Sequence, residues 1–162
     1  MKHDETGKPF LDAADKRILV ELQRDASLPV AELAERVGLT ASPCWRRVQR
    51  LKEAGVLNAL AYRVDPKALN LSLTVFVAVR TASHNAQWLT DFQRAVERIP
   101  EIVAVHRLAG QIDYLLKVMV PSIDAYDAVY KRLTASLDIT EVTSMISMET
   151  MRDTLELPVT YA

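Results

Sequence analysis

Apolar positions in the first third of the chain recur at helical spacing. Ile18, Leu19 and Leu22 form one stripe, approached through Leu11 to Asp15, and predict a first helix. Val30, Leu33, Ala34 and Val37 form a second stripe after the turn at Leu28 and Pro29, and Gly38 is placed to stop it. A third helix is expected from Thr40 to Ala54, with Thr40 and Ser42 offering capping hydroxyls, Pro43 in its first turn and Gly55 ending it. Residues 1–10 read as a loose polar tail.

From Leu71 the pattern changes period. Leu73, Val75, Val77 and Val79 alternate with Thr74, Phe76, Ala78 and Arg80, which predicts a strand. Trp88 or Leu89, Phe92, Val96 and Ile99 then share a helix face that Pro100 closes. Strands are expected over Glu101 to Leu108 and Asp113 to Val120, with Gly110 in the turn between them. Ser122 can cap a helix carrying Ile123, Tyr126, Val129, Tyr130, Leu133 and Leu137, and a last strand is expected from Thr140 to Met151. The order β-α-β-β-α-β is that of a ferredoxin-like domain, so the fold class is α+β with a three-helix head in front. Asp65-Pro66 breaks the apolar, partly extended segment Val56 to Val64. The expected division is a head over 11–60, a linker strand over 61–70 and a second domain over 71–157.

Angle counting divides the third helix into two faces. At 100° per residue, Cys44, Val48 and Leu51 form a packing stripe. Ser42, Arg46, Gln49 and Arg50 gather on the opposite side, flanked by Trp45 and Lys52. Helix, glycine turn and capped basic helix in succession make a helix-turn-helix, and that exposed side is its candidate for reading DNA. Arginine can bind guanine O6 and N7 together, glutamine can do the same with adenine, and the remaining polar groups can hold phosphates. Arg47 lies beside the packing stripe, where a phosphate contact and a structural salt bridge are both open. Trp45 is open between packing and a sugar or base contact.

The net charge of −1 is unpromising for a nucleic-acid binder until its distribution is considered. Arg46, Arg47, Arg50 and Lys52 face only Glu53 within the third helix, so positive charge concentrates where DNA would be met. At 162 residues, 49% hydrophobic and 25% charged, the chain is expected to be a soluble globular protein with a sizeable core. One cysteine, Cys44, rules out an internal disulfide framework and sits at a packing position, in keeping with a reducing cytoplasm. The first ten residues lack an apolar core and do not read as a signal peptide, and no apolar run is long enough to cross a bilayer.

These residues resemble the Lrp/AsnC family of regulators. The resemblance rests on Leu11-Asp12, Asp15, Ile18-Leu19, Leu22-Gln23, Asp25, Leu33-Ala34, Val37-Gly38-Leu39-Thr40 and Pro43-Cys44-Trp45-Arg46-Arg47-Val48. It continues through Leu51, Glu53-Ala54-Gly55-Val56-Leu57, Pro100-Glu101-Ile102-Val103, Gly110, Asp113-Tyr114-Leu115-Leu116 and Leu157-Pro158. It implies a winged helix-turn-helix head, an extended hinge and a ferredoxin-like effector domain whose sheets pair into dimers, with dimers assembling into octamers. It also implies an amino-acid effector near the second strand's following loop. Carried over, that site comprises Leu108, Ala109, Gly110, Gln111, Asp113 and Tyr114, with Ser144 to Met148 as neighbours. Gln111 departs from the family's frequent acidic residue, so Asp113 must pair with the effector's ammonium or the ligand preference differs. A tryptophan-arginine-arginine run after the cysteine, with Trp88, is similar to a branch in which some members answer to cysteine.

Other functions find less support. No glycine-rich phosphate loop, nucleophile elbow or metal-spaced cluster is present, and His3, His84 and His106 are scattered, so neither catalysis nor a bound metal or cofactor is expected. His106 is expected in the core or at an interface. The remaining alternative is an architectural protein that packages DNA with weak sequence preference.

Overall fold

The computed structural model describes residues 10–83, 85–135 and 137–162; the polar tail and His84 read from the sequence lie, apart from Phe10, outside them. Contacts divide the chain into two units, residues 10–62 with 152–162, and residues 63–151.

The first unit holds three helices, α1 (Ala13–Arg24), α2 (Val30–Arg36) and α3 (Ala41–Glu53). Asp12 opens α1 by accepting from the N–H groups of Ala14 and Asp15, while Asp15 reaches back to the Asp12 N–H, a reciprocal cap that satisfies otherwise orphaned donors. The expected stripes meet in one core: Ile18, Leu33, Cys44 and Leu51 are almost wholly removed from solvent, with Leu19, Ala34, Val37 and Val48 around them. Burial of an isoleucine or leucine of this kind contributes about 1.5–3 kcal/mol. At the end of α3 the N–H of Val56 bonds the Leu51 carbonyl and that of Gly55 bonds the Lys52 carbonyl. That pairing needs Gly55 at φ +69°, a conformation costly to any residue with a Cβ.

Two expectations for this unit change. Residues 55–65 contain no strand, so neither a β-wing nor the linker strand over 61–70 forms; Pro66–Leu69 is instead a single 3-10 turn capped by the Asp65 side chain. The segment 152–162, partly assigned to the second domain, returns to the head. Val159 packs on the helical core, and the Leu157 backbone exchanges two hydrogen bonds with the Gln23 amide, at 2.6 and 3.2 Å. Single-element periodicity cannot reveal such a return, because it is held by a side chain 134 positions away.

The second unit runs β1 (Leu73–Arg80), α4 (Ala86–Glu97), β2 (Ile102–Arg107), β3 (Tyr114–Val120), α5 (Ile123–Thr134) and β4 (Glu141–Ile146). The antiparallel sheet has the order β2-β3-β1-β4, as the ferredoxin-like reading expects. Strand alternation sends Val75, Val77 and Val79, with Leu116, Val118 and Val120, into a core completed by Trp88, Phe92, Val129 and Leu133. Ser122 caps α5 by accepting from the Ala125 N–H. The last strand is shorter than expected: its register with β1 ends at Val75 opposite Ile146, followed only by the Ser147 N–H on the Thr74 carbonyl at 2.9 Å. The opposite sheet face carries Phe76, Ala78, Leu115, Met119 and Met145, while α4 and α5 of the same unit pack on the first face. His106 lies exposed on that same face, opposite Leu115, rather than in the core.

Candidate functional site

Helix α3 presents the divided surface that its angles predict. Cys44, Val48 and Leu51 are buried. Ser42, Trp45, Arg46 and Lys52 are exposed, and Gln49 is partly so. The side chains of Arg46, Gln49 and Lys52 make no hydrogen bond or ion pair with described residues, which leaves their donors available to an outside partner. Thr40 occupies the N-cap position with extended backbone, but its hydroxyl does not cap the helix as expected. First-turn N–H groups without a side-chain acceptor, at the positive end of the helix dipole, suit a phosphate.

Two arginines depart from the expected reading face. Arg47 donates to Asp12 at 2.6 Å and to Asp15 at 2.8 Å, the structural bridge among its two open alternatives. Arg50, expected beside Arg46, folds its guanidinium onto the other oxygen of Asp15 at 2.5 Å. The physical reason is the nearly complete burial of the Asp15 carboxylate, at 1% exposure, which requires compensating positive charge from α3. Asp12 and Asp15 are thus positioning residues that set the rotation and depth of α3 on α1. Their sequence signal was the paired acidic residues at the start of α1, legible as a cap but not as anchors for another helix.

The electrostatics of this cluster are directional. Burial opposes ionisation of Asp12, but hydrogen bonds from the Asp15 N–H and Arg47, with the arginine's charge, outweigh it and hold the carboxyl below its ordinary range. A carboxyl whose folded-state pKa is depressed stabilises the fold above its unfolded pKa and loses that contribution as pH falls through the folded value. Head stability is therefore expected to decline from about pH 4 downward. In thermal melts across an acid series, Asp12→Asn should flatten that decline; an unchanged profile would remove Asp12 from the account. Burial also pushes the Cys44 thiol up, against the opposing charge of Arg47, as befits a core residue rather than a reactive thiolate.

The expected effector residues are partly brought together. Leu108 to Asp113 form the β2–β3 turn, closed by the Leu108 N–H on the Asp113 carbonyl at 2.8 Å, with Gly110 at φ +152°. The Asp113 carboxylate accepts from the Thr81 N–H at 2.8 Å and so ties the turn to the end of β1. Tyr114 does not project from the turn. It is buried, with its ring 4.4 Å from that of Phe92 and 5.4 Å from that of Trp88. Ser144 and Met148 are not adjacent to the turn within one chain, because β4 pairs with β1, two strands from β2, and runs away from the turn beyond Val142. Ser144 instead hydrogen-bonds the Tyr126 hydroxyl, and Met148 is almost fully exposed. Among the described residues no group of histidine, cysteine or carboxylate side chains could hold a metal ion, and no helix is long and apolar enough to cross a membrane.

Comparison with known families joins the two units. Residues 11–52 match the AsnC-type helix-turn-helix domain, and residues 74–157 match the Lrp/AsnC ligand binding domain. The chain belongs to the Lrp/AsnC family. It is accordingly a DNA-binding transcriptional regulator. It is 43% identical to the glutamate uptake regulatory protein of Zymomonas mobilis over 91% of this chain and 90% of that one. Among solved structures it is similar to an AsnC family transcriptional regulator from Agrobacterium tumefaciens, at TM-score 0.89 and 47% identity over 93% of this chain and 99% of that one. A Neisseria meningitidis transcriptional regulator solved as a complex with L-Met matches at TM-score 0.88 and 31% identity, over 94% of this chain and 99% of the other.

Proposed function

We propose that this Lrp/AsnC regulator reads a specific operator through the exposed face of α3 in the cytoplasm, and that an amino acid bound by its second unit alters that reading. The observation that carries the DNA half is the basic surface of Arg46, Gln49 and Lys52, unpartnered among the described residues, beside a helix N-terminus without a side-chain cap. Thr40, Ser42 and Lys52 are assigned to phosphates, and Arg46 and Gln49 to base edges. Trp45, half exposed, extends the same surface toward a sugar or base. Arg47 and Arg50 act from behind it, through Asp15.

Support for an amino-acid effector comes from the Neisseria relative solved with L-Met. The β2–β3 turn of Leu108 to Asp113, followed by Tyr114, is the proposed region, with Ser144 and Met148 reaching it only across a subunit boundary. The sheet face of Phe76, Leu115, Met119 and Met145, opposite α4 and α5, supports pairing of two copies, and further assembly of dimers into an octamer would couple several heads to spaced half-sites. No catalytic role and no cofactor is assigned.

Binding assays with the chain's own upstream DNA test this reading. Affinity for that DNA should exceed affinity for random duplex by at least about a thousandfold at physiological salt. Addition of each common amino acid in turn should change the affinity or the footprint for at least one of them. Equal affinity for both DNAs would favour packaging, and a footprint indifferent to the whole panel would remove the effector.

A further inference from the structure

Between its two units the chain passes twice, at residues 62–63 and at 151–152. The first crossing runs through residues 58–64, which form neither helix nor strand. A body attached through one such segment can turn about it, and a second attachment removes much of that freedom. The second crossing supplies that attachment only if residues 152–162 are held to the head. Their apolar side chains do little of the holding: Leu155, Leu157 and Tyr161 are exposed, and residues 152–158 contain no regular element.

What holds them is chiefly Gln23. Its side-chain amide carries the same donor and acceptor as a peptide group, and it commits both to one residue. Oε1 accepts from the Leu157 N–H at 2.6 Å, and Nε2 donates to the Leu157 carbonyl at 3.2 Å. Two neighbours assist. Glu156 lies 3.7 Å from Arg24 in an exposed ion pair, which adds little, and Val159 lines a hollow with Val20 and Val37. At the other end the Ser147 N–H bonds the Thr74 carbonyl at 2.9 Å. Only the residues between Ser147 and Leu157, at most about 36 Å of extended chain, therefore separate the sheet from the Gln23 clamp.

Gln23 follows Asp15 and Leu19 along one stripe of α1 at successive four-residue steps. Asp15 holds Arg47 and Arg50 of α3 near one end of that stripe, and Gln23 holds Leu157 at the other, about 12 Å along the helix axis. α1 is thus a rigid bar between the second tether and the reading helix. Gln23 and Leu157-Pro158 are also among the residues that carry the family resemblance, yet neither belongs to the reading face or to the β2–β3 turn.

We propose that Gln23 is a positioning residue for DNA reading: by clamping residues 152–162 to α1 it gives the head a second attachment to the sheet-bearing unit and presets the head for an operator with two half-sites. This rests on the operator reading above, in which several heads of one assembly meet spaced half-sites together. One head on one half-site needs no presetting. Two heads on a fixed spacing do, because the second contact depends on an effective concentration that free rotation of the head lowers.

Titrations of the full chain test the clamp on two DNAs: the footprinted duplex from its upstream DNA, and the same duplex with one half-site scrambled. Gln23→Met keeps an unbranched stem but lacks the amide, and Leu157→Pro removes the N–H that Gln23 accepts from. Each should weaken binding to the two-site duplex at least about tenfold and leave the one-site duplex within about twofold. The two changes together should weaken the two-site duplex no more than either alone, since both open the same clamp. A fall shared by both duplexes, with a lower Tm, is the signature of a folding role and overturns the proposal. If the unsubstituted chain prefers its operator and Gln23→Met binds both duplexes as the parent does, the clamp is wrong while the operator reading stands. If the unsubstituted chain does not distinguish its upstream DNA from random duplex, the operator reading fails and the proposal falls with it.

Discussion

Asp15→Ala is expected to unfold the head at temperatures the unsubstituted chain withstands. The carboxylate is 1% exposed and faces guanidinium groups from Arg47 and Arg50, so its removal takes away the Arg50 pair and leaves Arg47 dependent on Asp12 alone. Breaking a buried ion pair from one side costs about 3–5 kcal/mol. The two arginines are 28% and 39% exposed and can recover some hydration, so the lower end of that range applies. Against a total stability of roughly 5–15 kcal/mol the loss is large, and a drop in Tm of about 10 °C or more should follow. Asp15→Asn keeps an acceptor and should lose less. A melt of Asp15→Ala indistinguishable from that of the parent would show that the network contributes nothing to holding α3.

Arg46→Ala should have the second largest effect, on DNA rather than on stability. Loss of a bidentate contact to a base edge costs about 1–3 kcal/mol, or roughly 5- to 150-fold in affinity, and relaxes specificity at one operator position. Gln49→Ala should act likewise at a neighbouring base. Lys52→Ala should instead weaken all sequences alike and reduce the salt dependence by about one unit of slope. Because Arg46 and Lys52 are exposed and bond no described residue, none of these changes should alter folding or the oligomer. Operator titrations at several salt concentrations, with light scattering for assembly, measure both parts. Normal operator binding by both Arg46→Ala and Gln49→Ala would move the reading face elsewhere.

Arg46 and Arg50 illustrate how far a one-dimensional reading extends. Both fall on the polar side of α3 by angle, and both look equally available. Arg46 bonds no described residue; Arg50 is drawn to a carboxylate whose burial depends on how α1 packs, a fact absent from the helix's own periodicity. Tyr114 repeats the lesson in the second unit, where the resemblance grouped it with the turn residues and strand alternation plus α4 turned it inward. Gln23 and Leu157 were invisible as a pair for the same reason. Each is an ordinary position of its own segment until the chain returns to the head.

Local order is written in the chain: three helices and then β-α-β-β-α-β, the buried stripe of Cys44, Val48 and Leu51, and the glycine end of α3. Those features depend on residues within a few positions of one another, through hydrogen-bonded turns and alternation of side chains. Tertiary structure alone decided that residues 152–162 return to the head, that Arg47 and Arg50 hold α3 rather than face outward, and that Gln23 meets the Leu157 backbone. Each of these is settled by the burial of a group against a partner distant in the chain, and the energy of such burial is a property of the packed elements and not of any one of them.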